Sequence, residues 1–256
     1  MPGTIIYMEN TTVAFSGFKA LSGVDFFVDA GELRFLIGPN GAGKTTLLDV
    51  ICGKVRPVSG RVIFEDQVDI CKLSEYEIAR RGISRKFQAP SVFGNLTVFE
   101  NMELSLPTHR EFFSSLFHRM GAEDRERIMT VLDLVGLADR CHERAGALAH
   151  GQKQWLELAM TILQEPRLLL VDEPVAGMTG KERSRTGEIL RRIAEERSVL
   201  VVEHDMNFVR QFAEKVTVLH EGQILCEGTF DHVKSDPVVI DVYLGRGGEA
   251  VAHALN

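Results

Sequence analysis

Nowhere in this sequence does an apolar run approach the roughly 18 to 20 residues needed to cross a bilayer, so no membrane-spanning helix is expected. The start, Met1-Pro2-Gly3-Thr4, has neither a basic flank nor a long apolar segment, so no secretory signal is expected either and a cytoplasmic location follows. Cysteine is scarce. Cys52, Cys71, Cys141 and Cys226 are widely spaced, with no C-x-x-C pair and no histidine at zinc-finger spacing, which excludes a disulfide framework and predicts reduced, packed thiols. Positive charge is also lacking: the net charge of -7 excludes a broad nucleic-acid surface, which needs clustered Lys and Arg. The pairs Arg80-Arg81, Arg85-Lys86 and Arg191-Arg192 sit among acidic residues and read as solvated helix faces. No low-complexity tract is present. What remains, 45% hydrophobic and 25% charged over 256 residues, fits one large folded domain or one domain with an inserted lobe, and the second is expected.

Against that background one segment stands out. Residues 38 to 45 read Gly38-Pro39-Asn40-Gly41-Ala42-Gly43-Lys44-Thr45, a complete G-x-x-x-x-G-K-T loop directly after the apolar run Leu33 to Ile37. Three glycines let the backbone turn its N–H groups inward around an anion, Lys44 can reach terminal phosphates, and the Thr45 hydroxyl can hold a magnesium ion. Thr46 to Ile51, followed by Gly53, predicts a helix whose positive N-terminal end faces the same phosphates. The strand-loop-helix setting separates this from a chance glycine turn and predicts a bound nucleoside triphosphate.

The rest of the chain fits an α/β protein: a P-loop NTPase core with a mainly parallel sheet, an N-terminal antiparallel β layer and an inserted α-helical subdomain. Short β-rich runs at Ile5 to Met8, Thr11 to Phe15, Val24 to Val28 and Arg61 to Phe64 predict the antiparallel layer. Leu33 to Ile37, Leu168 to Val171 and Val199 to Val202 read as continuous apolar strands buried on both faces of a parallel sheet. Residues from about 89 to 165 read as mostly helical. Ser74 with Glu77 opens a helix before them that Gly82 would close, Thr97 with Glu100 opens another, and Ile128, Val131, Leu132 and Val135 form a stripe ending at Gly136. Leu156, Ala159, Met160 and Leu163 repeat at helical spacing, with Trp155 expected in the core beside them. Val216 to His220 and Gln223 to Cys226 predict a hairpin across Glu221-Gly222. Residues 1–245 form the expected domain, and 246–256 a mobile tail.

Leu168 to Val171 ends in Asp172-Glu173, two carboxylates at the edge where open α/β sheets bind ligands. Asp172 would approach the magnesium ion and Glu173 would polarise the attacking water, although a strand-end pair of this kind can instead cap a neighbouring helix. His204 follows the strand Val199 to Val202 and Glu203, so it emerges at the same edge and could contact the γ-phosphate. A lone histidine there is more often structural, with Asp205 as helix N-cap. Gln88 could reach metal and water as a neutral ligand. Phe15 on its own reads as a strand residue facing a core.

The order phosphate loop, Gln88, Leu148-Ala149-His150-Gly151-Gln152, Asp172-Glu173, His204 resembles the nucleotide-binding subunits of ABC transporters over about residues 4 to 245. The resemblance implies that ATP with Mg2+ is bound and hydrolysed between two head-to-tail subunits, identical or different. Each offers its segment Ala149, His150, Gly151 and Gln152 to the other's phosphate loop. It also implies that Phe15, or nearby Phe18, stacks on adenine, that Thr45, Gln88 and Asp172 serve the metal, and that Glu173 is the general base with His204 beside it. The implied partners are a second ATPase subunit and two membrane permeases, with a periplasmic binding protein acting indirectly. The implied place is the cytoplasmic face of the inner membrane, peripherally attached, with no nucleic acid involved.

This chain departs from the family's usual L-S-G-G-Q at Ala149 and His150, and carries Thr179 where most relatives have aspartate. Losing the serine hydroxyl at Ala149 would cost about 1.5 to 3 kcal/mol at the γ-phosphate, and His150 could add a pH-sensitive contact across the dimer. Thr179 with Glu182 reads as a capping box. Arg85-Lys86-Phe87-Gln88, the run from Leu148 to Trp155, Pro174 to Thr179 and Val201 to Met206 are similar to the ATP-binding subunits of urea importers, within the branched-chain amino-acid importer branch. Urea is thus the expected solute, with branched-chain amino acids as the alternative. An ABC ATPase acting on DNA or ribosomes, and a nucleotide-sensing subunit with little hydrolysis, are the readings of another class.

Overall fold

The computed structural model describes residues 3–86, 91–107 and 120–244. The chain opens with a long hairpin of β1 (Thr4–Phe15) and β2 (Phe18–Asp29), joined by the tight turn at Ser16 and Gly17, both at positive φ. The two short strands expected over Ile5 to Met8 and Thr11 to Phe15 are one strand. Asn10, at φ 43, absorbs the interruption as an irregularity between Met8 and Thr11 while pairing continues on either side. After β3 (Leu33–Ile37) and α1 (Lys44–Ile51), β4 (Ser59–Phe64) and β5 (Val68–Asp69) complete an antiparallel sheet in the order β2-β1-β4-β5.

The second sheet is built from segments far apart in sequence. Following α2 (Glu75–Arg80) come β6 (Ile83–Lys86), α3 (Val98–Glu103), α4 (Ala122–Val135), α5 (His150–Ile162), β7 (Leu168–Asp172), α6 (Gly180–Ala194), β8 (Ser198–Val202), α7 (Met206–Phe212), β9 (Lys215–His220) and β10 (Gln223–Gly228). The short helices α8 (Phe230–Ser235) and α9 (Pro237–Leu244) follow. The sheet order is β10-β9-β3-β8-β7-β6, parallel throughout except for the β9–β10 hairpin.

Strand alternation explains the apolar runs. Leu169, Val171, Val199 and Val201 point to one face, where they pack with residues of α5, α6 and α7; Leu168, Leu170, Leu200 and Val202 point to the other, beneath α1 and the antiparallel layer. Both faces are therefore core. Arg34 is the exception within β3: it is fully buried, with its guanidinium 2.6 Å from Glu32 and 2.5 Å from Glu227 and donating to the Thr217 hydroxyl at 2.9 Å. An unpaired guanidinium there would cost several kcal/mol, so the ion pairs are what permit it.

Local capping sets the helix starts. Ser74–Glu77, Thr97–Glu100 and Thr179–Glu182 are reciprocal capping boxes for α2, α3 and α6, and Gly136, at φ 74, ends α4. Trp155 is half-buried rather than central, its indole N–H donating to the Thr186 hydroxyl at 2.9 Å. The four cysteines are free, with Cys141 buried and the others half-buried. The pair Arg85-Lys86 is not a solvated helix face: both residues lie on β6, with side chains 5% and 1% exposed, because the strand carries them into the interior where carboxylates await them. Residues 246–256, expected as a tail, lie outside the described residues.

Candidate functional site

The phosphate loop occupies the turn from β3 into α1. Its glycines answer to space as well as to conformation: a Cβ on Gly38 would sit 2.1 Å from the Leu219 carbonyl oxygen, and one on Gly43, at φ 106, would sit 2.5 Å from that of Ala20. The neighbouring hairpin holds the loop from outside, with the Gly222 N–H donating to the Ala42 carbonyl at 2.9 Å. Ala42 is buried, Pro39, Gly43 and Thr46 are half-buried, and Asn40, Gly41 and Thr45 are exposed, so a ligand can reach the loop. The Lys44 ammonium donates to the carbonyls of Gly38 at 2.7 Å and Pro39 at 3.0 Å. Burial pulls its pKa below the usual lysine range, and the carboxylates of Glu173 and Asp172 oppose that fall.

Asp172 and Glu173 leave the end of β7 next to this lysine. Asp172 is buried, with Oδ2 2.8 Å from Arg85 Nη2. Glu173 takes a left-handed backbone, φ 46, unusual for a residue with a side chain, and its N–H is held by the Val202 carbonyl at 2.9 Å. The His204 Nδ1 lies 3.6 Å from Glu173 Oε1, too long for a hydrogen bond but close enough for a charge interaction when the imidazole is protonated. Asp205 caps α7, accepting from the Phe208 N–H at 3.0 Å, as the sequence predicted.

Glu203 was not among the predicted site residues. Its buried carboxylate accepts N–H groups from His204 at 2.8 Å, Asp205 at 3.1 Å and Val175 at 3.3 Å, tying the loop after Glu173 to the end of β8. Burial raises its pKa, and those three donors counteract the rise. Its position between a purely apolar run and His204 was the available signal: a carboxylate emerging from a buried strand has to find donors.

The segment 149–152 forms the start of α5. Ala149 offers no hydroxyl, and Gln152 supplies the cap instead: its Oε1 accepts the Ala149 N–H at 3.1 Å and a hydrogen bond from Arg140. Gly151 is buried where a Cβ would lie 2.5 Å from Glu182 Oε1, and the His150 ring faces Gly177. Among the described residues no hydrogen bond joins 149–152 to residues 38–45 of the same chain. Phe15 and Phe18 stand opposite each other at the tip of the first hairpin, 50% and 68% exposed, so Phe15 does not face a core. Gln88 lies outside the described residues.

The donor set suits a nucleotide-bound magnesium ion. Thr45 could offer one hydroxyl oxygen and Asp172 one carboxylate oxygen, the hard oxygen donors that magnesium takes. The loop glycines, the lysine and the N-terminal end of the eight-residue α1 supply an anion cradle beside it.

Comparisons with known proteins bear on the family and the fold. The ABC transporter family matches residues 21–176, and the family described as branched-chain amino acid ATP-binding cassette transporter matches residues 223–249. The high-affinity branched-chain amino acid transport ATP-binding protein BraF of Pseudomonas aeruginosa is 32% identical over 96% of this chain and 100% of its own length. LivG of Escherichia coli, which bears the same description, is also 32% identical over 96% of this chain. The crystal structure of an ATP-binding cassette of an ABC transporter in its ADP conformation superposes with a TM-score of 0.82 at 31% identity, covering 95% of this chain and 99% of that one. A dimeric bacterial ABC transporter cassette superposes at 0.75 with 26% identity, over 88% of this chain and 98% of that one. BraF and LivG carry branched-chain amino acid transport in their names, and none of these matches shows urea, the first expectation.

Proposed function

The chain belongs to the ABC transporter ATP-binding family, and from that premise we propose that it energises an importer of branched-chain amino acids. As a member of the family it binds ATP with Mg2+ and hydrolyses it to drive transport, working as a dimer with membrane permeases. The solute assignment is carried by relatives that match it end to end. The ATPase does not touch the solute, so the sequence runs that resemble urea importers keep urea as the second reading.

The residue roles belong to the proposal. In it residues 1–245 act as one ATPase domain with its helical lobe at 89–165, at the cytoplasmic face of the inner membrane. Residues Gly38 to Thr46 cradle the phosphates, Thr45, Gln88 and Asp172 serve the metal, and Phe15 meets the adenine. Magnesium, held by these residues, would supply positive charge to offset that of the phosphates. Glu173 takes a proton from the attacking water, a role worth on the order of 10² to 10⁴ in rate, with His204 beside it. Ala149 to Gln152 face the phosphates bound by the partner subunit, identical or different in kind. A periplasmic binding protein delivers solute to the permeases.

The test is ATP hydrolysis by the complex of this chain with its second ATPase and permeases in lipid, with leucine-loaded or urea-loaded binding protein. Stimulation by leucine supports the reading, stimulation by urea replaces the solute, and binding of ATP without turnover in either case returns the chain to a sensing role.

A further inference from the structure

Two elements carry the proposed metal ligands: α1, which begins beside Thr45, and β7, which ends on Asp172. Arg85 reaches both. Its Nη1 lies 2.5 Å from Asp49 Oδ1, one helical turn along α1 from Thr45, and its Nη2 lies 2.8 Å from Asp172 Oδ2. The guanidinium is 5% exposed and Asp172 equally so, while Asp49 is partly exposed. Asp49 occupies the C-terminal half of α1, where a carboxylate opposes the helix dipole and needs a cation. Asp172 stands beside Glu173 and Lys44, so two acids would otherwise share one ammonium.

We propose that Arg85 is a positioning residue for the metal site: its planar fork spans Asp49 and Asp172, fixing α1 against β7 and directing the second oxygen of Asp172 toward the ion. Lysine cannot make this contact equally well, because one ammonium presents no fixed fork to two carboxylates on different elements. The inference rests on the assignment of Thr45 and Asp172 to the metal.

The experiment uses the full chain and follows binding of a fluorescent ATP analogue, first in EDTA and then during a Mg2+ titration. Asp172→Asn is the control for the metal assignment. Arg85→Gln is expected to raise the Mg2+ concentration at half-effect by about 10- to 100-fold, the usual loss when a partner of a metal ligand is removed, while metal-free affinity stays within about twofold of the parent's. Arg85→Lys should fall between, and Asp49→Asn should shift Mg2+ dependence in the same direction. If Arg85→Gln does not fold, Arg85→Lys and Asp49→Asn decide. A parallel loss of metal-free and metal-dependent binding, or an unchanged Mg2+ titration in folded variants that Asp172→Asn does shift, overturns the role of Arg85. An unchanged titration in Asp172→Asn itself overturns the metal assignment beneath it.

Discussion

Glu173 and Glu203 end neighbouring strands, and their surroundings set different tasks for the same chemical group. Glu173 is partly open and faces Lys44 and His204, whereas Glu203 is shut in and spends its oxygens on three backbone donors. Burial raises the pKa of Glu203, so the folded chain holds that proton more tightly than the unfolded chain does. The contribution of this group to stability therefore falls as pH rises from the unfolded carboxylate value through the folded one, and is level above it. Glu203→Gln removes that dependence. Denaturation across the pH range is expected to show the variant gaining stability relative to the parent as pH rises through this window; a relative loss would contradict the sign. The sequence made Asp172, Glu173 and His204 legible because each follows an apolar strand, but it hid Arg85. A four-residue strand is too short to show its period, and a basic pair among acids looks like surface until the β6–β7 pairing buries it.

At the scale of elements, helix starts were the most legible part of the chain, since a capping box is local and needs no tertiary partner. Thr179 has its expected partner in Glu182, and the same glutamate lies against Gly151 at the start of α5, a contact that no local pattern announces. Thr179→Ala is expected to cost about 1 kcal/mol in urea denaturation, and it loosens the segment between Glu173 and α6 as well. At α5 the missing hydroxyl gives a gain-of-function prediction. Ala149→Ser in the assembled complex should raise steady-state ATP turnover, by ten- to hundredfold if the serine recovers about 1.5 to 3 kcal/mol at the partner's γ-phosphate. Unchanged turnover would mean that the α5 amides and Gln152 already do that work. Where strands were misjudged the cause was equally local: the β-rich runs on either side of Asn10 were expected as two strands, yet pairing on both sides of it carries one strand through.

For the whole molecule the prediction concerns assembly. A related cassette is dimeric, and among the described residues no hydrogen bond joins the phosphate loop to the α5 start within one chain. Glu173→Gln is expected to convert ATP binding into a long-lived dimer, seen as an ATP-dependent shift in size-exclusion chromatography with turnover lowered by at least about 10². A variant that turned over like the parent would remove Glu173 as the base. The backbone at that residue has a further consequence. A glutamate at φ 46 costs on the order of 1 to 3 kcal/mol, which the fold tolerates only because the strand end holds it there. Glycine would accept the same conformation freely, so Glu173→Gly is expected to lose turnover while keeping or raising the melting temperature. If Glu173 is the base, selection for solubility or expression alone would then favour inactive chains, and a demand for turnover would oppose it.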